Sequence, residues 1–221
     1  MAKSARKKSA RAKSKSARPK TTPKPAGSKD PRAALREALL RMVAAGGWRD
    51  LSYADIAKDA GLSLSHAYEA YPSKAAILTG IGRDIDARLV GSLDDDPLDG
   101  SVKDRLFDLL MRRFDLLNEH REAYAALALG LPRTPVEASC LMLQLRRSLA
   151  HMLESAGLSA SGLRGALRIE GLGAIYACGL RVWMKDDSAD LSKTMAELDK
   201  RLSQIERWAG MMQRKRTAEA H

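Results

Sequence analysis

The stretch LSYADIAKDAGLSLSHAYEAYPSK, residues 51–74, contains two short helical patterns that meet at a glycine. Ser52 and the acidic residue three positions later form a capping-box-like start for the first helix, which ends at Gly61. Ser63 is a favourable cap for the second helix, and Pro72 stops it. Two short helices joined by a tight turn predict a helix-turn-helix.

A longer helix is predicted on each side of this motif. Asp30 followed by a proline marks the start of the first, because an acidic cap and a proline at the first position favour a helix. Ser73 caps the other, predicted over residues 73–90, and the acidic segment 94–97 then breaks the pattern. Residues 30–90 are therefore predicted to form a helical head.

The rest of the chain predicts further helices and no convincing strand. Their predicted ranges, separated by Gly, Pro or Asp/Ser turns, are 101–118, 119–130, 135–156, 159–184 and 188–213. We therefore predict an all-α fold of about nine helices. A three-helix helix-turn-helix head would precede a C-terminal helical bundle over residues 100–213.

Two helices of this bundle have distinctive patterns. Helix 159–184 is apolar nearly all round and rich in glycine, which predicts a central position packed on several neighbours. In helix 188–213 an apolar seam steps by three and four residues, which predicts a partner helix. The seam consists of Leu191, Met195, Leu198, Leu202 and Ile205, continued loosely by Trp208 and Met212.

The net charge of +11 lies almost wholly in residues 1–29, which hold eleven basic side chains and no acidic one. Of the 38 basic side chains, the remaining 27 balance the 27 acidic ones, so charge gives no argument that the folded part binds DNA. Lys, Ser, Ala and Pro dominate the segment, a composition that predicts a disordered arm. We expect it to act as a solubilising tail, to neutralise DNA phosphates, or both.

The sequence indicates no enzyme, no cofactor, no metal site and no membrane span. Its four histidines are scattered, and it contains no catalytic motif or phosphate-binding loop. The longest apolar run, Gly171–Leu180, reaches about half the length that a membrane span requires.

Residues 30–90 resemble the helix-turn-helix domain of the TetR family of transcriptional regulators. The shared elements are Asp55-Ile56-Ala57, Ala60-Gly61-Leu62-Ser63, Tyr68, an aromatic at Tyr71 and Ser73-Lys74, in the same order and without gaps. The resemblance implies DNA contacts by Ser52, Tyr53, Ser63, Leu64, Ser65, His66, Tyr68 and Lys74. Tyr68 and Lys74 would contact phosphates, whereas Ser65, His66 and Glu69 would contact bases.

The resemblance further implies a sequence-specific repressor of transcription. It would act as a cytoplasmic, nucleoid-associated homodimer that pairs through helices 159–184 and 188–213 and binds a near-palindromic operator. A small apolar effector in the C-terminal bundle would control DNA binding. The side chains considered for its pocket, although such residues are more often plain core, are Met111, Phe114, Tyr124, Met142, Met152 and Tyr176.

Three alternatives remain at this point. The recognition helix contains no Lys or Arg and has the acidic Glu69, so the head could have kept its fold and lost its DNA surface. Residues 187–202, DSADLSKTMAELDKRL, resemble the C-terminal segment of lipid-binding ubiquinone-biosynthesis accessory proteins, which share the TetR-type fold. This second resemblance implies a lipid- or isoprenoid-binding protein without specific DNA binding. The matching residues are Ser188, Asp190, Thr194, Leu198, Asp199 and Arg201. A third alternative is a protein that coats DNA through its arm alone.

Overall fold

The computed structural model of the chain describes the backbone of residues 30–219 and the side chains of residues 30–207. The predicted arm over residues 1–29 lies outside the described residues, as do the side chains of Trp208 and Met212. The described part contains nine α-helices, one 3₁₀ turn and no strand, so the predicted all-α fold is confirmed. None of these helices has the length and apolar character needed to cross a membrane.

The helices are named in chain order. They are α1 (Pro31–Gly46), α2 (Tyr53–Asp59), α3 (Leu64–Ala70), α4 (Lys74–Asp95), α5 (Val102–Asn118), α6 (Arg121–Gly130), α7 (Pro135–Ser155), α8 (Gly162–Trp183) and α9 (Ser192–Glu219). The 3₁₀ turn, Leu131–Arg133, joins α6 to α7. Helix α4 continues past its predicted end at residue 90 to Asp95. Arg112 donates hydrogen bonds to the carbonyls of Ser92 and Asp96 and so satisfies acceptors at this end of the helix.

The head consists of α1, α2 and α3, with α1 packed on both shorter helices. Leu39, Val43, Ile56 and Ala67 are completely buried and belong to its core. Gly61, in the turn between α2 and α3, has a φ of +69°, a conformation that favours glycine. The predicted helix-turn-helix is therefore present, and both predicted serine caps are in place.

Trp48, in the turn between α1 and α2, joins the head to the body. Its ring is almost completely buried beside Gly130, and its indole Nε1 donates a 3.0 Å hydrogen bond to Thr134 Oγ1. The ammonium of Lys74 lies 4.1 Å from the ring centroid. The α1–α2 turn, the first residue of α4 and the segment after the 3₁₀ turn are thus held together at one point.

In the body, α4 packs along α7, and α8 packs on α7 and α9. Gly82 permits the close approach of α4 to α7, because a Cβ atom there would lie 2.9 Å from Gln144 Cγ. Helix α8 packs on several neighbours, as predicted, but it is not central within the protomer, because it buries only part of its surface there. Along its open face Leu163 and Leu167 are 80% and 65% exposed.

A buried carboxylate fixes the start of α9. Asp186 accepts 2.8 Å hydrogen bonds from the backbone N–H and the hydroxyl of Thr194, and two more from the same groups of Ser188. Burial would raise the pKa of Asp186, but these four hydrogen bonds outweigh it and hold the pKa well below its ordinary value. Because Ser188 belongs to this turn, α9 begins at Ser192 and not at the predicted residue 188.

The predicted seam of α9 divides between two directions. Leu191, Leu198 and Leu202 are buried in the body, whereas Met195 and Ile205 are exposed. Helix α9 packs on α5 and α8 of its own protomer. Within residues 191–205 the seam is therefore partly core, and Met195 and Ile205 form an uncovered apolar surface.

Candidate nucleic-acid interface and effector cavity

Helix α3 presents most of its surface to solvent. Ala67 is its buried residue, and at roughly 100° per residue Ser65 points nearly the opposite way. Leu64 and Tyr68, one turn apart, are 56% and 63% exposed, and adjacent exposed apolar side chains are typical of contact surfaces. We call this outward surface the recognition face; its members are Leu64, Ser65, His66, Tyr68 and Glu69.

Two of the predicted DNA-contacting residues cap these helices. Ser52 Oγ accepts a 3.1 Å hydrogen bond from the backbone N–H of Asp55, and Ser63 Oγ accepts one of 3.3 Å from that of His66. The hydroxyls of Ser63 and Ser65 share a 3.0 Å hydrogen bond. The two caps fix the N-termini of α2 and α3, and both side chains remain exposed.

Tyr53 ties the start of α2 to the end of α3. Its hydroxyl donates a 2.6 Å hydrogen bond to the Tyr71 carbonyl, and burial, with a smaller contribution from Tyr68, raises the pKa of Tyr53. The Tyr71 hydroxyl accepts a 3.1 Å hydrogen bond from Arg36 of α1, and Gly80 leaves room for its ring. Tyr53 is half-buried, and its hydrogen bond to the last turn positions α3, whereas Tyr68 is exposed.

The ammonium of Lys74 is engaged within the protein. Nζ donates a 2.7 Å hydrogen bond to the Leu51 carbonyl and lies over the Trp48 ring. Burial lowers the pKa of Lys74, and the charge of Glu137 opposes this shift. Because an ammonium has three donors, Lys74 retains hydrogen-bonding capacity for a phosphate.

His66 and Glu69 line a shallow groove against the start of α1. The other residues of this groove are Asp30, Pro31, Arg32 and Ala70. Arg32 is exposed, and its guanidinium lies 5.7 Å from the Tyr71 ring centroid. The sequence reasoning missed Arg32, because its place beside α3 depends on how α1 packs on α3. The described chain begins at Asp30, which belongs to this groove.

A cavity of about 140 Å³ lies in the body between α4, α5, α6, α7 and α8. Helix α4 contributes Leu78, Ile81 and Ile85 to its wall, and each of the other four helices adds at least one leucine. A cavity of roughly 150 Å³ in another protein binds benzene, so this volume suits a ligand of about that size. Apolar walls with a few polar groups are typical of small-molecule sites.

The structure places Tyr124 and Tyr176 in the cavity wall. The other four predicted pocket residues do not line it: Met111, Phe114, Met142 and Met152. Phe114 lies behind Tyr176, with ring centroids 5.4 Å apart, and Met142 is exposed on α7. Periodicity places a side chain on a helix but does not show whether it borders a gap, which explains this mixed outcome.

Arg113 and Gln144 are the polar cavity residues that sequence reasoning missed. Both are buried in the wall. Arg113 lies between Leu110 and Leu117 on the buried stripe of α5, so a charged residue at a core position was the available signal. A buried charge requires a partner, and the sequence does not show which helix supplies it.

The partner of Arg113 is Asp86 of α4. This carboxylate accepts hydrogen bonds of 2.7 Å from Arg113 Nη1 and 2.9 Å from Gln144 Nε2, and a third from the Ser148 hydroxyl. Arg113 Nη1 also donates to Ser148 Oγ at 2.7 Å. We call Asp86, Arg113, Gln144 and Ser148 the polar cluster. It connects α4 to α5 and α7 beside the cavity.

Arg113 is charged and incompletely paired. Burial alone would lower the pKa of Arg113, but the oxygens of Tyr176 and Asp86 outweigh it, so the pKa is raised. The guanidinium lies 5.6 Å from the Tyr176 ring centroid. Its Nε is buried and has no hydrogen-bond partner among the described residues. Burial also raises the pKa of Tyr124 far above its ordinary value, which keeps this second hydroxyl of the wall protonated.

The sequence matches no protein-family model, and no curated protein matches it. Solved structures with the same fold do exist. A TetR transcriptional regulator from Nitrosomonas europaea is 19% identical with a TM-score of 0.64, over 78% of this chain and 96% of that one. The fatty acid degradation regulator FadR from Bacillus halodurans is 17% identical with a TM-score of 0.58, over 79% and 95%. The regulator FadR from Bacillus subtilis, solved in complex with stearoyl-CoA, is 18% identical with a TM-score of 0.51, over 77% and 96%.

At these identities the likeness establishes the fold. The chain has the fold of TetR-type transcriptional regulators, as residues 51–74 predicted. The comparisons lend no support to the lipid-binding alternative that residues 187–202 raised.

Proposed function

We propose that this chain is a sequence-specific DNA-binding repressor of transcription, located in the cytoplasm with the nucleoid and controlled by a small apolar effector. The observation that supports DNA binding most directly is the recognition face. It projects from a helix-turn-helix whose second helix is exposed along its length, and an α-helix presented in this way fits the major groove of DNA.

Within the recognition face we assign base contacts to Ser65, His66 and Glu69. A hydroxyl pairs with a donor or an acceptor on a base edge, and a carboxylate accepts a hydrogen bond from the cytosine amine. We assign phosphate contacts to Tyr68 and Lys74. The remaining contacts, which would fix the register of the head on the duplex, are those of Ser52, Tyr53, Ser63 and Leu64.

Residues 1–29 would supply the positive charge that the recognition helix lacks. The chain enters the described structure at Asp30, beside His66 and Glu69, so the eleven basic side chains are tethered next to the proposed DNA surface. Contacts of such side chains with phosphates are independent of sequence and weaken as salt rises. They would offset the repulsion between Glu69 and the DNA backbone.

Selection of bound duplexes from a random DNA pool tests the proposal. We expect a near-palindromic motif to be enriched by the full chain. His66→Ala should change the preference at one position of each half-site, by about 1–3 kcal/mol. The matched control is His151→Ala, which removes an exposed histidine of α7 and should leave the motif unchanged. If the pool yields no motif, or if enrichment depends on residues 1–29 alone, the proposal is wrong.

We place the effector in the 140 Å³ cavity. Helix α4 begins at Lys74, next to the head, and lines the cavity through Leu78, Ile81 and Ile85. A ligand that binds one position of α4 more tightly than another shifts DNA affinity, whereas a ligand with equal affinity for both shifts nothing. The structural neighbour from Bacillus subtilis, solved with stearoyl-CoA, supports an apolar ligand for this fold.

We propose that two copies pair through α8 and α9. The exposed side chains of Leu163, Leu167, Met195 and Ile205 lie on these two helices, and a second copy would cover them. A two-fold dimer would present its heads to successive major grooves, about 34 Å apart. Leu167→Glu should yield monomers in sedimentation experiments, whereas Leu143→Glu, at an exposed leucine of α7, should not. Dimers of the Leu167 variant, or monomers of the control, would place the interface elsewhere.

A further inference from the structure

We infer that the effector is a small carboxylic acid, bound as its anion to Arg113, which competes with Asp86 for the charge of that residue. The inference rests on the proposed function, because it specifies the ligand of the effector cavity and the way in which that ligand releases α4.

The polar groups of the cavity wall are grouped on one side. Arg113 lies beside the Tyr176 ring and shares Asp86 with Gln144, and its charge influences the pKa of Tyr124. The rest of the wall is almost entirely aliphatic. A ligand that satisfies both parts has an apolar body and one polar end.

The unpaired donor of Arg113 indicates the chemistry of that polar end. Nη1 is engaged by Asp86 and Ser148, whereas Nε is buried without a partner among the described residues. A buried donor without an acceptor is costly, and a carboxylate on a guanidinium edge forms the strongest hydrogen bonds available to it. A neutral alcohol of the same size would accept one weaker hydrogen bond.

Because of the polar cluster, the carboxylate would bind two positions of α4 with different affinities. With the ligand bound, one guanidinium faces two anions, which repel each other across the cluster. The repulsion is relieved when Asp86, and α4 with it, moves away from Arg113 and Gln144. The carboxylate therefore binds more tightly to the conformation in which α4 is detached from α5 and α7, which is the requirement for a shift in population.

The size of the cavity limits the apolar body. Its volume of about 140 Å³ accommodates a phenyl ring or a chain of similar size. We therefore choose two pairs of test ligands, benzoate with benzyl alcohol and hexanoate with hexanol. Within each pair the body is the same and only the charged end differs.

Isothermal titration calorimetry of the full chain with these four compounds, without DNA, tests the inference. We expect each carboxylate to bind about tenfold more tightly than its alcohol, the factor that one charge-assisted hydrogen bond provides. Arg113→Gln should abolish this preference. Its control, Arg112→Gln, removes the neighbouring arginine, which pairs with Asp96 and Asp108 outside the cavity, and should retain the preference.

A second variant tests the competition. Asp86→Asn keeps the shape of the side chain and removes its charge, so it should bind both carboxylates about tenfold more tightly while its affinity for the alcohols is unchanged. Asp84→Asn, at a carboxylate of α4 that pairs with Arg36, should behave like the unaltered chain. If Arg113→Gln does not fold, the Arg113→Gln/Asp86→Asn double variant, which removes both buried charges, should bind carboxylate and alcohol equally.

The inference is overturned if the unaltered chain binds neither carboxylate, if the alcohols bind as tightly, or if Asp86→Asn weakens carboxylate binding. Because DNA is absent from these titrations, such a result would leave the operator selection unaffected. Conversely, a failed selection together with a carboxylate preference lost in Arg113→Gln would refute the proposed function and support the ligand.

Discussion

Trp48→Phe measures how firmly the head is docked on the body. The substitution keeps an aromatic ring in the α1–α2 turn and removes the indole N–H that donates to Thr134 Oγ1 at 3.0 Å. It also weakens the contact with the Lys74 ammonium, now 4.1 Å from the ring centroid. This partly buried hydrogen bond contributes about 1 kcal/mol, and the weaker cation–π contact and lost burial contribute about 1 kcal/mol more.

We therefore expect the free energy of unfolding to fall by about 2 kcal/mol, which for a chain of this size lowers Tm by roughly 4–8 °C. Urea and thermal denaturation, followed by circular dichroism, measure both quantities. Thr134→Val removes the acceptor, and the double variant should cost about 1 kcal/mol less than the sum of the two single variants.

Trp183→Phe is the matched control. Trp183 is also buried and lies under a cation, with the Arg121 guanidinium 4.9 Å from its ring, but its Nε1 has no hydrogen-bond partner among the described residues. Its replacement should therefore cost about 1–2 kcal/mol less than that of Trp48. Equal costs, or additive effects of the Trp48 and Thr134 substitutions, would refute the view that this hydrogen bond docks the head.

Further predictions concern DNA, helix packing and acid stability. Deleting residues 1–29 should reduce the slope of log K against log salt by about 0.9 for each phosphate that the segment neutralises, and a changed motif would show instead that it contacts bases. Lys74→Ala should weaken binding to all sequences alike and lower that slope by about one unit, which a sequence-selective loss would contradict. In α4, Gly80→Ala places a Cβ atom against the hydroxyl of Tyr71 and should lower the free energy of unfolding by about 1–3 kcal/mol. Gly91→Ala, with no atom within 4 Å, should raise it by up to about 1 kcal/mol, and equal effects in urea denaturation would refute the packing. Because the pKa of Asp186 is depressed in the folded chain, its contribution to stability is present above the unfolded pKa of about 3.9 and is lost as the pH falls towards the depressed pKa. Asp186→Asn should therefore flatten the dependence of the unfolding free energy on pH in this range, and an unchanged dependence would contradict the prediction.

The helices were predictable because their signals are local. Asp30, Ser52 and Ser63 cap the helices that they were predicted to start, and a glycine with positive φ makes the predicted turn. The position of α8 was not predictable from its composition. Its glycines and leucines fit a central helix as well as a helix that is open along one face, and only the packing on α7 and α9 decides between them.

The candidate sites were less accessible to sequence reasoning. The exposed character of α3 followed from the motif, but the hydrogen bond of Tyr53 to Tyr71 and the engagement of Lys74 with Trp48 depend on contacts between separate helices. The cavity was harder still, because Asp86 and Arg113 lie on different helices. No local pattern pairs two such residues.

If residues 1–29 bind phosphates and the recognition face binds bases, as proposed, the chain would separate the capture of a duplex from the identification of its sequence. Capture by cationic side chains is fast, is indifferent to bases and allows sliding along the helix. The recognition face contains no Lys or Arg, so under this proposal the dwell time on an operator would depend mainly on contacts that ions screen little. A rise in ionic strength would then slow the search for an operator more than it shortens residence there.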